Sequence, residues 1–392
     1  PLPLCLRSFP SPLPPPRTPP PHRPGSSRTA GTGPGRGPAS PAARTSAATP
    51  VSWADATSAA AGGGLAALVA AAQKEGTLTV IGLPPLWAGY GAIEKAFTRR
   101  YGIAIHAVAP GTTSQQQVAA IRRGRGSAGS PDVLDLAAAQ ALADTSLFAP
   151  YKVETWAAIP AAQKAPDGAW ADDYGGYMSV GYDAARFGRI TSLRQLLGRR
   201  FGRAVALDGD PAQAGAALYG VMMAGLALGG GAGDIGSGVA FFRELRSAGN
   251  FVPVLVTTPL TIESGSTPVV FNWDFLNTPR IVGQSARRWK VFIPPDGALG
   301  KFNAQAISKD APHPAAARLW EEFLYSQGKA GGQNLWLLGG VRPVEQAAMI
   351  ANHTIIAASS RTLPPPPAHP VFLTPAQVAG AAGYLHKHWP GG

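Results

Sequence analysis

The chain of 392 residues carries one cysteine, Cys5. That excludes an internal disulfide framework and a zinc site built on cysteines, and it leaves the redox compartment open. No uninterrupted run of about 18 strongly apolar residues occurs, which argues against a membrane-spanning helix. Residues 1–50 hold no apolar run of the roughly 7–15 residues that a secretory signal needs, so no signal segment is recognisable. Acidic residues are scarce, 22 against 34 Lys and Arg, for a net charge of +12. A pI near 10.1 raises the question of nucleic acid. The basic pairs of the body, Arg99-Arg100, Arg122-Arg123, Arg199-Arg200 and Arg287-Arg288, are scattered and not interleaved with aromatic residues as a stacking platform requires. No nucleic-acid partner is expected.

The usual marks of catalysis are missing too. There is no G-x-x-x-x-G-K-[ST], no H-E-x-x-H and no G-x-S-x-G. Two stretches match G-x-G-x-x-G, at Gly124–Gly129 and Gly231–Gly236, but neither lies between a strand and a helix as a dinucleotide site demands. His386 and His388 have no third ligand nearby, and His106 sits inside a strand-like run. Neither a metal nor a cofactor is expected.

What is present begins with a tail. Residues 1–62 are mostly Pro, Ala, Ser, Gly and Arg. Such a segment cannot bury enough apolar surface to offset its ordering entropy, so it is expected to be a disordered tail ending at Gly62-Gly63-Gly64. From Leu65 strand-like and helix-like runs alternate. Thr77–Ile81, Ile103–Val108 and Pro131–Leu136 read as strands, with helices over 65–74, 91–101 and from Thr112–Ser114 to Arg123. Thr112, Thr113 and Ser114 each stand three residues before a glutamine, so a capping box is available whichever one caps. This βαβαβ order predicts a parallel sheet with crossover helices, an α/β fold. A second series reads as strands at Tyr177–Tyr182, Ala204–Asp208, Phe251–Val256, Pro268–Trp273 and Lys290–Pro294. Helices are expected over 212–228, around Phe241–Leu245, over 313–326 and near 375–387, the last after the Pro364–Pro367 linker.

Two carboxylate pairs could serve acid/base chemistry or a hard metal. Asp208-x-Asp210 also reads as a turn and a helix start, where Asp caps. Asp172-Asp173 is flanked by Trp170, Tyr174 and Tyr177. The strand ending in Asn272-Trp273-Asp274 sets an aromatic face beside acceptors, a pattern that suits holding a small molecule. No nucleophile or general base stands beside it.

The order of Lys74–Val80, Lys95–Ile103 and Ser130–Asp135, continued by Ser179–Asp183, Leu193–Leu197, Phe201–Ala206, Ile262–Pro268, Val291–Pro295 and Ala306–Ser326, resembles the bacterial extracellular solute-binding proteins of ABC transporters. The resemblance covers about residues 65–345 and is closest to the branch with iron, polyamine and thiamine binders. It implies a two-lobed type II periplasmic-binding-protein fold, each lobe a mainly parallel sheet flanked by helices. Lobe one would span 65–175 plus 297–345, lobe two 176–296, with 346–392 a C-terminal linker and helix packing on the lobes. It implies a non-enzymatic, monomeric receptor in the periplasm or on the outer cell envelope, peripheral to the membrane, which delivers a small molecule to a permease.

The candidate residues fit the implied cleft. They are Trp87 and Tyr90 in a turn after the first strand, Thr113 and Ser114 at a helix start, and Asp135 after the third strand. Asp172, Tyr174, Gln213, Trp273 and Asp274 complete the set. Each also has a bland reading: Trp87 and Tyr90 as cover for the core, Thr113 and Ser114 as caps, Asp274 as a turn residue. Iron-binding members carry adjacent tyrosines, where this chain has Leu218-Tyr219-Gly220, a single Tyr. Acidic and aromatic residues favour a polyamine or other organic cation. Ferric iron and a small anion of the phosphonate or thiamine type are alternatives, as is an enzyme on the same fold that would use Asp172 or Asp173.

Overall fold

The computed structural model describes residues 52–253, 256–278, 288–356 and 363–389. The chain runs through α1 (Leu65–Glu75), β1 (Thr77–Ile81), α2 (Tyr90–Tyr101), β2 (Ala104–Val108), α3 (Ser114–Gly124), β3 (Val133–Ala137) and α4 (Ala138–Ala143). The long strand β4 (Ala171–Asp183) follows, then α5 (Ala184–Phe187), β5 (Val205–Leu207), α6 (Gly215–Ala227), α7 (Gly236–Ser247), α8 (Pro259–Glu263), β6 (Val269–Trp273) and β7 (Trp289–Phe292). It returns through β8 (Leu299–Ile307), α9 (Pro314–Leu324), α10 (Gly332–Gly339), β9 (Arg342–Pro343), α11 (Gln346–Ala351), β10 (Val371–Phe372) and α12 (Pro375–His388).

The strand order is β2-β1-β3-β8-β4-β6-β5. β1 pairs parallel with β2 and β3, as the βαβαβ reading predicts, whereas β8 enters antiparallel between β3 and β4. β4 is the member that joins everything. Its first half pairs with β8 and β9, and its second half with β6 and β7. Apolar packing divides along the same line. One cluster gathers Leu78, Val80, Phe97, Trp320 and Phe323 between α1, α2, α9 and the sheet. Another gathers Val180, Leu207, Val221, Phe242 and Phe271 between α6, α7 and β4–β6. A smaller cluster, with Ile81, Val118, Ile121 and Leu134, seats α3 on the opposite face of β1 and β3.

Several expectations need correction. Residues 52–62 are not part of a structureless tail: Ala56 and Ala59 are buried, and the Arg318 guanidinium donates to the carbonyls of Ala54 and Ala56 at 2.9 and 2.8 Å. Two buried alanines and a buried arginine suffice where composition alone shows only small residues. Cys5 and residues 1–51 lie outside the described residues. The helix expected from 212 starts at Gly215, because Asp210 accepts from the Ala212 amide and holds 211–213 in a turn. The strand expected at Phe251–Val256 is reduced to a bridge between Phe251 and Val205, and residues 254–255 lie outside the described set. β8 and α10 were not anticipated.

Candidate functional site

The carboxyl ends of β1 and β3 and the start of α3 meet at an open cavity of about 350 Å³. Trp87, Thr113, Ser114, Asp135 and Tyr174 line it, together with Lys301 and Asn303 from β8. This is where ligand contacts collect in parallel α/β sheets.

Each of these side chains is held by local structure. α3 starts at Thr113, whose hydroxyl accepts from the Gln116 amide while the Gln116 side chain accepts from the Thr113 amide, a full capping box. Ser114 Oγ accepts from the Ala137 amide at 2.9 Å and ties the helix start to the end of β3. Gln117 donates to the Asp135 carbonyl at 2.7 Å. Gly82, at φ 80°, permits that approach: a side chain there would strike Gln117. Trp87 is 49 % exposed and donates its indole N–H to the Tyr174 hydroxyl at 3.0 Å.

Asp135 is buried, 5 % exposed, and its Oδ2 accepts from the Tyr174 hydroxyl at 3.2 Å and the Asn303 amide at 3.3 Å. Its Oδ1 has no hydrogen-bond partner. Burial, and then the charge of Asp173, push the Asp135 carboxyl well above its usual range. Behind it, Asp173 is sealed by the Tyr90 hydroxyl at 3.3 Å, the Gln305 amide at 3.0 Å and the Tyr174 amide. Burial raises it to about 7. Tyr90 also stands close enough for its hydroxyl to act on the Asp135 charge, but its hydrogen bond within normal distance goes to Asp173. Lys301 is exposed by surface area. The protein atoms crowding its ammonium, which stands 5.6 Å from the Tyr219 ring, still lower its pKa, so part of its hydration is lost.

The remaining candidates fall elsewhere. Tyr90 lies fully buried at the start of α2, edge-on to Tyr174 and Trp336. Asp172 lines an adjoining chamber of about 100 Å³ with Trp170, Tyr219 and Lys301. Its Oδ2 accepts from Gln163 at 3.1 Å, and burial holds its pKa well above normal. Trp273 packs its ring on Tyr219 at 5.2 Å. Gln213 is exposed and reaches only Asp210, at 3.3 Å. Asp274 is fully buried; its Oδ2 accepts from the Arg342 guanidinium at 2.5 and 3.0 Å, and its Oδ1 accepts from the amides of Tyr177 and Phe275. Gln213 and Asp274 therefore leave the set of groups that face the cavity: one is bound to its own turn, the other to an internal ion pair. Asp208 is likewise consumed, by Thr257 and Asn272.

A larger cavity, about 860 Å³, lies between Pro160–Gln163, Arg342–Val344 and residues 366–372. Size alone would favour it. Its walls are mainly apolar, and its arginine is already committed to Asp274, Gln346 and the Pro364 carbonyl, so the smaller, polar cavity is the better candidate. Sequence reasoning missed Lys301 and Asn303. The signal was there: Lys301, Asn303 and Gln305 alternate with Phe302, Ala304 and Ala306, the period of a strand. Among the described residues, no group of three or more His, Cys, Asp or Glu side chains gathers to hold a metal ion.

No family model matches the chain. No curated protein sequence matches it either. Solved structures do. A provisionally assigned extracellular solute-binding protein from Bordetella parapertussis superposes with a TM-score of 0.64 at 16% identity, over 81% of this chain and 98% of its own. Iron-bound HitA from Pseudomonas aeruginosa gives 0.52 at 20% identity, over 79% and 97%. The spermidine/putrescine substrate-binding protein PotD from Streptococcus pneumoniae gives 0.54 at 13%, over 72% and 86%. The chain has the α/β fold of the periplasmic binding proteins.

Proposed function

We propose that the chain is a solute receptor that holds a small charged molecule in the cavity between β1, β3, β8 and α3, without transforming it, and passes it to an ABC-transporter permease. The observation that carries this is the convergence on one open cavity of an exposed indole (Trp87), a helix start, a buried carboxyl (Asp135), a phenol, an amide and an ammonium. That is a surface for orienting a ligand. Among the described residues, no serine or cysteine paired with a base lines it. A carboxyl of raised pKa could serve an enzyme, but Asp135 is held at Oδ2 by Tyr174 and Asn303, and Asp173 behind it is held by Tyr90 and Gln305.

The two lobes of this receptor would follow the two main apolar clusters, 65–175 with 297–345 and 176–296, hinged where β4 and β8 pass between them. A site outside the cytoplasmic membrane, with the chain peripheral to it, belongs to the same reading. Among the described residues no helix is long and apolar enough to cross a membrane. For ferric iron, the single Tyr219 and the lack of a metal-ligating group among the described residues count against the assignment. Lys301 counts against a ligand that is purely cationic.

Tryptophan fluorescence of the purified full chain tests the proposal. A panel of metals, polyamines, amino acids, phosphonates and thiamine is titrated, and at least one saturable change is expected, abolished in Trp87→Phe. No response by fluorescence or by thermal shift across the whole panel would sink it.

A further inference from the structure

The proposed site is built from groups of both signs, and their order along one strand specifies what the ligand must carry. β8 places Lys301, Asn303 and Gln305 on one face, two residues apart. Register sets Gln305 opposite Asp135 and Asn303 opposite Ala137. The strand thus runs from the buried carboxyl, past the Asn303 amide, to Lys301, which also lines the cavity. Four residues of antiparallel strand span about 13 Å between backbone positions. The lysine side chain takes up part of that length and leaves room for a molecule of a few carbons.

The two ends are unsatisfied in opposite senses. Asp135 Oδ1 is buried with no hydrogen-bond partner. Lys301 faces the cavity without an ion pair to another described residue, its only described charge contact being the face of the Tyr219 ring at 5.6 Å. The start of α3, with its outward N–H groups, forms the wall between them. A diamine would satisfy Asp135 and be repelled by Lys301. A dicarboxylate would satisfy Lys301 and be repelled at Asp135.

Resting on the receptor reading above, we infer that the ligand class is a small zwitterion, an aliphatic molecule with an ammonium group for Asp135 at one end and a carboxylate or similar anion for Lys301 at the other. The Trp87 face covers the methylene chain between them. An incoming ammonium also supplies the counter-charge that the buried carboxyl lacks, and so offsets the burial that raises its pKa.

Isothermal titration of the full chain distinguishes the possibilities. The probes are β-alanine, γ-aminobutyrate and δ-aminovalerate, with putrescine and cadaverine as diamines and succinate and glutarate as dicarboxylates. At least one amino acid is expected to bind tenfold or more tightly than its matched diamine and dicarboxylate. Asp135→Asn keeps the shape and the acceptor for Tyr174; it should cost the amino acid at least tenfold while leaving the dicarboxylates no weaker. Lys301→Met should weaken the amino acid and strengthen the diamine. A diamine or dicarboxylate that binds the unaltered chain as tightly as every amino acid overturns the zwitterion inference and leaves the receptor reading standing. So does an Asp135→Asn variant, folded by thermal melt, with unchanged amino-acid affinity. Silence from all these probes overturns the inference, and silence from the broader fluorescence panel as well overturns the receptor reading.

Discussion

Asp274 ends an apolar strand beside a tryptophan, and in the sequence that position points toward a ligand. In the fold it points inward, to Arg342, 68 residues away along the chain. Both are essentially without solvent exposure. The arginine is further held by Gln346, the Pro364 carbonyl and the Tyr177 ring. Gly176 leaves the space that Asp274 Oδ1 and Phe275 occupy; a Cβ there would lie 2.5 Å from each. Removing one member of a buried pair strands the other charge, at a cost of about 3–5 kcal/mol. Asp274→Ala should therefore lower unfolding stability by that amount in urea, while the folded fraction binds ligand with unchanged affinity. A variant of normal stability with lost binding would return Asp274 to the site. The contrast with Lys301 is one of commitment: the aspartate has its full complement of partners, and the lysine, which lines the cavity, makes no ion pair to another described residue.

At the scale of elements, α3 is the piece whose sequence and role agree most closely. Thr113 and Gln116 close the capping box, Val118 and Ile121 seat the helix on β1 and β3, and Ser114 pins its start to Ala137. Thr113→Ala removes the acceptor for the Gln116 amide and should cost about 1 kcal/mol; Thr113→Ser should restore most of it in the same urea titration. If the alanine variant melts like the parent chain, the cap does not stabilise this helix. Such elements were legible because local chemistry decides them: caps, a 3.6-residue apolar period and short apolar strands need only nearby residues. β8 was not legible in the same way. It is an antiparallel strand inserted between β3 and β4 after more than a hundred intervening residues, so its partners cannot be read locally, though its alternation was visible. The cavity inherits that split. Trp87, Thr113, Ser114 and Asp135 come from segments read as a turn, a helix start or a strand, and Tyr174 was singled out beside Asp172-Asp173 though it lies inside β4, whereas Lys301 and Asn303 needed the tertiary register. Residues 52–62 failed for a related reason, since their order comes from Arg318, not from their own composition.

For the molecule as a whole, the carboxyls it buries set the sign of its response to pH. Burial raises Glu321 to about 8, against some lowering by Arg318, and raises Glu345 to about 7 despite hydrogen bonds from Thr155 and Gln327. Asp173 is likewise raised to about 7. An acid whose folded pKa lies above its unfolded value holds its proton more tightly when folded. The stability it contributes is complete below the unfolded pKa, near 4.5 for glutamate, and is lost as pH rises through the folded value. Each such group limits the loss to about 1.4 kcal/mol per pH unit. Relief of self-repulsion acts in the opposite direction, because a chain that carries +12 at pH 7 with its histidines counted neutral becomes less positive as pH rises. That relief is spread over an exposed surface and is screened by salt, whereas the desolvation of Glu321 and Glu345 is not. Melting temperatures at moderate salt should accordingly fall from about pH 5 to about pH 8, and Glu321→Gln, which stays neutral throughout, should flatten the slope. A melting temperature that rises over this interval, or a slope indifferent to Glu321→Gln, would mean that Glu321 is already ionised in the folded chain and that Arg318 outweighs its burial.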